Sequence, residues 1–198
     1  VLGATSSLGS VCARILAKEN KYLTLVASER SKLEKLATQI LYETGLAVKI
    51  TVNIKEALRK ADIVVVVTSL ADVVIEPQDL KSGAVIYDFA RPRNIALKAV
   101  ARREDILVIE EILVDVPGKP EFNFDFGFPP GQCSACWAEV IILTLEKKYE
   151  SFSLGREVTF SQVKEIGALA QKHGFKLAGL KSLTRGEIEE IKENVSGK

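Results

Sequence analysis

The sequence is poor in residues that many kinds of site require. Its 198 residues include one histidine, His173, one tryptophan, three cysteines and no methionine. A structural zinc ion takes four ligands, so this supply leaves the cysteines short of partners and we expect no metal site. An odd number of scattered cysteines builds no disulfide framework, which indicates a reducing, cytoplasmic environment.

An excess of charge and long apolar runs are missing too. The chain carries 27 Lys and Arg against 26 Asp and Glu, which gives a net charge of +1. This balance provides no field that would attract nucleic acid or an anionic membrane. No apolar run approaches the roughly 20 residues of a membrane-spanning helix, and no secretory signal pattern is present. We therefore expect a cytoplasmic protein without nucleic-acid or integral membrane contact.

The first 110 residues alternate apolar strands with amphipathic helices. Strands are predicted at five apolar runs: 22–28, 47–52, 62–69, 84–90 and 105–110. A helix with Gly45 as its end is predicted by the spacing of four residues: Leu33, Leu36, Ile40 and Leu41. The alternation is typical of a doubly wound parallel α/β sheet, the Rossmann fold, over residues 1–110. Because only Val1 and Leu2 precede the first glycine, we expect the chain to be the later portion of a longer protein.

The pattern changes after residue 110. Residues 111–131 hold four prolines and four phenylalanines, and a loop of this length in a compact domain is usually functional or mobile. Helices are predicted over residues 133–149 and 159–175, so residues 111–175 form a region expected to pack on the core. Residues 176–198 are charged and predict a surface tail, frayed or helical.

The turn GATSSLG connects the first strand to the first helix. It approaches the template G-x-x-G-x-x-G, with a serine at the middle glycine. The first glycine permits the tight turn, the last lets the helix approach the sheet, and free N–H groups at the helix start face a pyrophosphate. The turn predicts a dinucleotide site, and the alternative is a glycine turn without a ligand. Its candidate contacts are Gly3, Thr5, Ser6, Ser7, Leu8 and Gly9.

The end of the second strand should distinguish NAD from NADP. An acid there suits the ribose hydroxyls of NAD, whereas hydroxyl and basic side chains suit the 2′-phosphate of NADP. The residues of the second kind are Ser28, Arg30, Ser31 and Lys32. They favour NADP(H), although Glu29, one position beyond the usual acid, argues for NAD. The alternative is that Arg30 and Lys32 only solvate the helix surface.

Polar residues also follow two later strands. The carboxyl ends of parallel strands line the ligand crevice, so we expect three residues near the ribose and nicotinamide: Thr68, Ser69 and Leu70. Three charged residues follow the next strand, and we expect them to pair with one another rather than to catalyse: Asp88, Arg91 and Arg93.

The stretch GQCSACWAE presents Cys133 and Cys136 at the start of an apolar helix. A redox pair would belong to a thioredoxin-like unit, and nothing in the sequence resembles one. In a first helical turn the helix dipole stabilises a thiolate, which can attack a thioester. Cysteines also pack well in cores, so the residues alone leave a nucleophile and simple packing both open. Cys12, inside the first helix, is expected in the core.

Several segments resemble known families. ADIVVVVTSLADVVIEPQDLKSGAVIYDFARPRNI is similar to the nucleotide-binding domain shared by shikimate/quinate dehydrogenases and glutamyl-tRNA reductases. GQCSACWAEVIILTLE, FSLGRE and IGALAQKHGF resemble the long-chain fatty acyl-[acyl-carrier-protein] reductases, in which an A-C-F-A-E helix start carries the active-site cysteine. The likeness spans Val1 to about Phe175.

This resemblance implies that NADPH reduces a fatty acyl thioester to an aldehyde through an acyl-cysteine at Cys136. It also implies an N-terminal substrate domain before this chain and an acyl carrier protein as a partner; a homo-oligomer is compatible with it. Two features depart from the reductases, Glu110-Glu111-Ile112 in place of a glycine pair and the loop 114–130. They suit a sister group of predicted amino-acid dehydrogenases.

Three further features have two interpretations each. Glu139 lies on the same helical face as Cys136, where it could relay a proton or cap the helix. His173, next to a glycine, is better explained as a surface residue at a helix end than as an acid–base group. Four phenylalanines could wall an apolar substrate cleft or fasten the loop: Phe122, Phe124, Phe126 and Phe128.

Three functions remain open at this point. The first is an NADPH-dependent reductase of an acyl thioester, with Cys136 and Glu139 in the catalytic site. The second is an NAD(P)-dependent dehydrogenase of a small hydroxy or amino acid, with inert cysteines. The third is a module that binds the dinucleotide without chemistry.

Overall fold

A computed structural model describes residues 1–67, 75–89, 103–124, 127–153 and 158–182. Contacts divide this part of the chain into two compact units, Val1–Ile109 and Glu110–Lys181. Each unit has hydrophobic clusters of its own, and the two are described separately below.

The first unit alternates short strands with helices. Its strands are β1 (Thr24–Val26), β2 (Lys49–Thr51), β3 (Ile63–Val66), β4 (Val85–Asp88) and the first residues of β5 (Leu107–Asp115). Its helices are α1 (Ser7–Glu19), α2 (Arg30–Thr44), α3 (Ile54–Leu58) and a 3-10 turn, Pro77–Asp79. The expected strand–helix alternation is therefore confirmed.

The strand order of this unit is that of a dinucleotide-binding sheet. β1 pairs with β2, β3 with β4, and β4 with Leu107–Ile109, all in parallel. Leu2 forms parallel bridges to Val26 on one side and Val66 on the other. Counting the segment at Leu2 as the first strand, the order along the sheet is 3-2-1-4-5-6, which is the Rossmann order. The predicted fold class is confirmed.

Helix α2 shows how the apolar pattern determines burial. Leu33, Leu36 and Ile40 are buried against the sheet, as their spacing predicts, whereas Leu41 is about half exposed. Gly45 ends the helix with a φ of 75°, a left-handed conformation in which glycine carries no steric penalty. The helix therefore covers one face of the sheet along a single stripe of residues.

The second unit contains two helices and strands that pair with β5. The later part of β5 pairs antiparallel with β6 (Gln132–Ser134), and β7 (Lys176–Ser182) also pairs with β5. The helices are α4 (Ala135–Leu145) and α5 (Phe160–His173). Ala138 and Ile142 of α4 are buried with Cys133 and Phe175 in one core cluster, and partly buried residues of α5 pack against it.

Three boundaries differ from the sequence expectation. β5 continues to Asp115, although the loop was expected from residue 111, because Leu113–Asp115 find partners in Gln132–Ser134. The helix expected from residue 133 begins at Ala135, because Cys133 and Ser134 are occupied by that strand pairing. Residues 176–182, expected within a charged tail, form β7 because β5 offers them a strand to pair with.

Within the described ranges, no helix has the length and hydropathy needed to traverse a lipid bilayer.

Candidate active site

The glycine turn lies at the centre of the first unit's sheet. Gly3 and Ala4 donate backbone hydrogen bonds of 2.9 and 3.1 Å to the carbonyl of Val26, at the carboxyl end of β1. Gly3 has a φ of 78°, a region that favours glycine. In the Rossmann order, the direction of winding reverses between the Leu2 segment and β3, and dinucleotides bind at the carboxyl ends of the strands there.

Ser6 braces this turn and starts α1. Its Oγ donates to the carbonyl of Gly3 at 2.8 Å and accepts from the N–H of Gly9 at 3.0 Å. Ser6 is thus the N-cap of α1 and uses its hydroxyl inside the turn, whereas the sequence suggested a hydroxyl donor for phosphate. Thr5 and Ser7 flank it, and both are half-buried.

Gly9 is required by the close approach of two backbone segments. A Cβ atom at this position would lie 2.1 Å from the carbonyl oxygen of Gly3. No side chain larger than hydrogen fits without moving the turn. This close approach is the physical reason for a glycine at position 9.

These features fit a dinucleotide pyrophosphate. The first-turn N–H groups of a helix have no intrahelical acceptor, and they carry the positive end of the helix dipole. The first turn of α1 contains no acidic residue that would repel an anion. Backbone donors at Ser7 and Leu8, together with the turn at Gly3, would hold the diphosphate, as in other helix N-termini that bind phosphate.

The residues after β1 are exposed around the start of α2. Ser28 and Ser31 are exposed, and the two cations nearby each contact a carboxylate. The Nε of Arg30 lies 2.9 Å from Glu34, and the Nζ of Lys32 lies 2.7 Å from Glu29. Exposed pairs of this kind are weak and exchange readily, so both cations can turn to another anion.

Three predicted cofactor contacts, Thr68, Ser69 and Leu70, lie outside the described residues, and so do Arg91 and Arg93, which were expected to form ion pairs. Asp88 is described and ends β4, with 1% of its surface exposed. The expected pairing of Asp88 with Arg91 and Arg93 stays a prediction, because both arginines lie outside the described residues.

The second unit separates the two neighbouring cysteines. Cys133 lies on β6 and is 4% exposed within the core cluster, and burial raises the pKa of its thiol. Cys136 is the second residue of α4 and is exposed. Burial likewise raises the pKa of Cys12, which is half-buried on α1. Of the three thiols, Cys136 is the accessible one.

Ser134 forms the start of the helix that bears Cys136. It is the N-cap of α4, and its buried Oγ accepts the backbone N–H of Trp137 at 3.4 Å. The first turn of this helix also lacks acidic residues. A thiolate at Cys136 would therefore lie in the field of the helix N-terminus without a competing negative charge in that turn.

Glu139 has a partner that sequence reasoning missed. The Oγ of Ser153 donates a hydrogen bond to Glu139 Oε1. The Nε2 of Gln162 donates to the carbonyl of Phe152, and Gln162 completes the capping box of α5 with Thr159. The serine is thus held beside the helix of Cys136 by a hydrogen-bond chain. The sequence signal for Ser153 was its place in FSLGRE, one of the segments that resemble the acyl reductases.

His173 is engaged away from Cys136 in the fold of α4 and α5. Its Nε2 lies 2.5 Å from Glu146 Oε1, and Lys172 Nζ lies 2.6 Å from the same atom. Hydrogen bonds from these two groups lower the pKa of Glu146. His173 ends α5 beside Gly174, as expected for a histidine at a helix C-terminus.

The described residues provide no set of side chains suited to binding a metal ion. Among the described residues, no group of three or more His, Cys, Asp and Glu side chains could hold a metal ion. Phe126, one of the four alternating phenylalanines, lies outside the described residues.

Comparison with known proteins decides the family. A profile described as Shikimate / quinate 5-dehydrogenase matches residues 1–112, more than half of the chain. The chain belongs to this family. Its members are NAD(P)-dependent oxidoreductases, and the matched range contains the glycine turn and the whole parallel sheet described above.

Relatives extend the match into the second unit. An aminotransferase, PigE, from Serratia sp. (strain ATCC 39006) is 34% identical over 84% of this chain and 20% of its own length. A long-chain acyl-[acyl-carrier-protein] reductase from Synechococcus elongatus is 30% identical over 88% of this chain and 51% of its own. The chain therefore spans about half of the reductase and a fifth of the aminotransferase.

One solved structure shares a shorter stretch. The Thermococcus litoralis Δ(1)-pyrroline-2-carboxylate reductase, determined with NADH and L-proline, is 19% identical. It covers 41% of this chain and 26% of its own chain, with a TM-score of 0.36.

Proposed function

We propose that the protein is an NADPH-dependent reductase of acyl thioesters, with Cys136 as the nucleophile that accepts the acyl group. The observation that carries this proposal is the contrast between the two neighbouring cysteines. Cys133 is buried in the core, whereas Cys136 is exposed in the first turn of α4. Similarity to a reductase whose name states an acyl-carrier-protein substrate supports the thioester class.

The covalent step balances as a thiol–thioester exchange. The Cys136 thiolate attacks the thioester carbonyl, a new carbon–sulfur bond forms, and the substrate thiolate leaves with the electron pair of the old bond. The positive end of the α4 dipole stabilises the attacking and released cysteine sulfur. When bound, NADPH supplies a hydride, so that thioester, NADPH and a proton give an aldehyde, a thiol and NADP⁺ overall.

Glu139 is proposed to supply or accept protons beside this sulfur. It lies one helical turn after Cys136 on the same face and is half-buried. The hydroxyl of Ser153 holds one of its carboxylate oxygens, which fixes the side chain towards the FSLGRE segment. A carboxylate held in this way can relay a proton to the departing thiolate.

The preference for NADP(H) rests on the residues around the start of α2. Two hydroxyl and two basic side chains are exposed there and can rearrange around a 2′-phosphate: Ser28, Ser31, Arg30 and Lys32. Arg30 can exchange Glu34 for a bidentate contact with phosphate. Thr68, Ser69 and Leu70 remain proposed contacts to the ribose and nicotinamide.

The two proposed roles, cofactor binding and acyl transfer, are assigned to different parts of the chain, as the sequence predicts. Dinucleotide binding is assigned to residues 1–110 and the acyl-accepting cysteine to residues 111–175. Further substrate contacts are assigned to a segment outside this chain, since the acyl reductase is about twice as long as the matched range. An acyl carrier protein is the proposed donor of the thioester.

Selective alkylation tests the nucleophile directly. Iodoacetamide at neutral pH, followed by peptide mass spectrometry, should label Cys136 first and spare Cys133 and Cys12, whose pKa values are raised by burial. An acyl thioester should protect Cys136 by occupying its sulfur. Equal labelling of Cys133, or the absence of protection, would contradict the proposal.

A second candidate is a dehydrogenase of a small hydroxy or amino acid. The family profile ends at residue 112, before both cysteines, so membership alone fits a member in which they are inert. In that case Cys136→Ser keeps full turnover, and the catalytic acid–base groups lie outside this chain. The same variant therefore distinguishes the two candidates.

A further inference from the structure

The side chain of Gln162 ties the loop between α4 and α5 to the start of α5. Gln162 is the third residue of that helix, and both ends of its amide are hydrogen-bonded. Its Oε1 accepts the backbone N–H of Thr159 at 2.8 Å and the hydroxyl of Thr159 at 2.7 Å. Its Nε2 donates to the carbonyl of Phe152. One side chain therefore caps its own helix and holds a point in the loop before it.

The choice of glutamine over glutamate at this position is informative. A capping box accepts either residue at the third helical position. A glutamate would accept the same hydrogen bonds from Thr159 and would also gain from the positive end of the helix dipole. Only an amide can in addition donate a hydrogen bond to a carbonyl oxygen. The cap alone therefore does not require glutamine, whereas the link to Phe152 does.

This link fixes the residue that contacts Glu139. Ser153 is exposed, and its hydroxyl donates to Glu139 Oε1. A surface hydroxyl gains little net free energy from such a bond, because water can replace either partner, so the backbone must hold the serine in place. Phe152, directly before it, is half-buried and held by Gln162. Gln162 therefore sets the position of the hydroxyl that orients Glu139.

Helix α5 is itself held against α4 within the second unit. Lys148 Nζ donates to Glu165 Oε1 near the end of α4, and His173 Nε2 lies 2.5 Å from Glu146 Oε1. Partly buried residues of α5 also pack against the core cluster to which α4 belongs. Gln162 thus extends from an element whose position relative to α4 is fixed.

The carboxylate at the end of this hydrogen-bond chain is a neighbour of the nucleophile. Glu139 lies one helical turn after Cys136 on α4, which places their Cβ atoms about 5–6 Å apart. Helical side chains lean towards the N-terminus, so the Glu139 carboxylate extends towards the turn that bears the sulfur. Proton transfer needs an accurate position, since a misplacement on the order of 1 Å can slow a reaction about a hundredfold.

We propose that Gln162 is a positioning residue for acyl transfer to Cys136, because it holds the Glu139 carboxylate in place through Ser153. The inference rests on the proposed function. In the transfer step, the Cys136 thiol gives its proton to Glu139, and the thiolate bonds to the acyl carbon. The carbon–sulfur bond of the substrate then breaks, and the leaving sulfur takes the proton from Glu139. A displaced carboxylate slows this proton transfer.

The test measures acyl transfer to Cys136 without cofactor, from acetyl- and octanoyl-coenzyme A, by intact-protein mass spectrometry and by released coenzyme A. Gln162→Glu keeps the capping box but cannot donate to Phe152, so transfer should slow about tenfold at an unchanged unfolding temperature. Alkylation of Cys136 by iodoacetamide should stay within about twofold, because it depends on the thiolate population and iodide leaves without a proton.

Thr159→Ala is the matched control. It removes the hydroxyl that caps α5 but keeps the backbone N–H that holds Gln162 Oε1 at 2.8 Å. The unfolding temperature should therefore fall by about 2–4 °C, while acyl transfer stays within about twofold. The two variants thus separate the cap of α5 from the link to Phe152.

Ser153→Ala tests the same chain of hydrogen bonds without changing α5. Its side chain is exposed, so the fold should tolerate the substitution. Acyl transfer should slow about as much as in Gln162→Glu, and the double variant should be little slower than either, because both changes act on one position of Glu139.

Two kinds of failure are distinguishable. Normal acyl transfer in Gln162→Glu and Ser153→Ala, or an equal loss of alkylation, overturns the positioning role. A loss in Thr159→Ala as large as in Gln162→Glu, or additive losses in the double variant, overturns it as well. If the unmodified protein accepts no acyl group from either thioester, the proposed function itself fails.

Discussion

The starts of α1 and α4 are built alike and present different chemistry. Each helix follows a strand segment and begins at a serine, Ser6 or Ser134, whose φ and ψ are −71° and 163° or −68° and 156°. Each serine accepts the N–H of the third helical residue, at 3.0 or 3.4 Å. Neither first turn contains an acid. Both ends therefore offer a positive field to an anion.

The difference lies in what stands within the first turn. At α1, Gly3 and Gly9 remove side chains, so that backbone N–H groups can approach a bound anion. At α4, the side chain of Cys136 places a sulfur in the corresponding first turn. One capped turn can thus serve as a receptor for phosphate or as an activator of a thiol, depending on one or two residues.

The largest expected effect comes from removing the sulfur at α4. Cys136→Ser should lower thioester reduction by about a thousandfold or more, because a serine hydroxyl is scarcely ionised and is a poor nucleophile there. NADPH binding, measured by fluorescence titration, should stay within about twofold. Retention of turnover would identify the thiol at α4 as inert and favour the small-acid dehydrogenase.

The next effect comes from filling the space at α1. Gly9→Ala places a methyl group 2.1 Å from the Gly3 carbonyl, so the turn must shift. We expect NADPH affinity to fall on the order of a hundredfold, and the free energy of unfolding to fall by about 1–3 kcal/mol, as in other overpacked sites.

Gly167→Ala is the control for that substitution. Gly167 lies inside α5 with nothing within 4 Å of its Cβ position, so alanine should stabilise the protein by up to about 1 kcal/mol. Urea unfolding compares the two variants. Normal cofactor binding by Gly9→Ala would show that the close approach is not needed for the ligand.

A smaller effect should separate NADPH from NADH. Arg30→Ala should weaken NADPH binding about tenfold and leave NADH binding nearly unchanged, because the lost contact is to the 2′-phosphate. Arg14, whose guanidinium pairs with Glu43 on the surface, provides the control in Arg14→Ala. If both arginine variants bind the two cofactors like the unmodified protein, Arg30 only solvates α2.

The smallest effect tests the cap itself. Ser134→Ala should slow iodoacetamide alkylation of Cys136 on the order of threefold, because an uncapped first turn frays and no longer directs its N–H groups at the sulfur. Thr159→Ala removes the equivalent cap of α5 at a similar cost of about 1 kcal/mol. A matching decrease in both variants would assign the effect to global destabilisation.

Local patterns predicted much of the first unit. The apolar stripe of α2 and its end at Gly45 depend on residues within one or two turns of one another. The parallel sheet follows from strand–helix alternation, since its crossovers are regular. The glycine turn was predictable for the same reason, because its residues are adjacent in the sequence. The hydrogen bonds that the Ser6 hydroxyl makes inside the turn were not predictable from the sequence.

The structure of the second unit depends on contacts between residues that are far apart in the sequence, which local patterns do not reveal. Cys133 and Ser134 were predicted to belong to a helix, because their pairing with Leu113 and Val114 is not visible in the local sequence. β7 depends on β5 in the same way. The hydrogen bond from Ser153 to Glu139 joins positions 14 residues apart. The different environments of Cys133 and Cys136 follow from that same strand pairing, so spacing alone left both cysteines open.

The backbone hydrogen bond from Val116 to Gly131 joins the two ends of the loop between β5 and β6. The cost of closing a loop grows only slowly with its length, so residues between these two points can be lengthened, shortened or exchanged at little expense to folding. β6 and α4, which follows it, would keep their positions when the loop changes. Insertions or deletions in this loop would therefore leave the position of Cys136 on α4 unchanged.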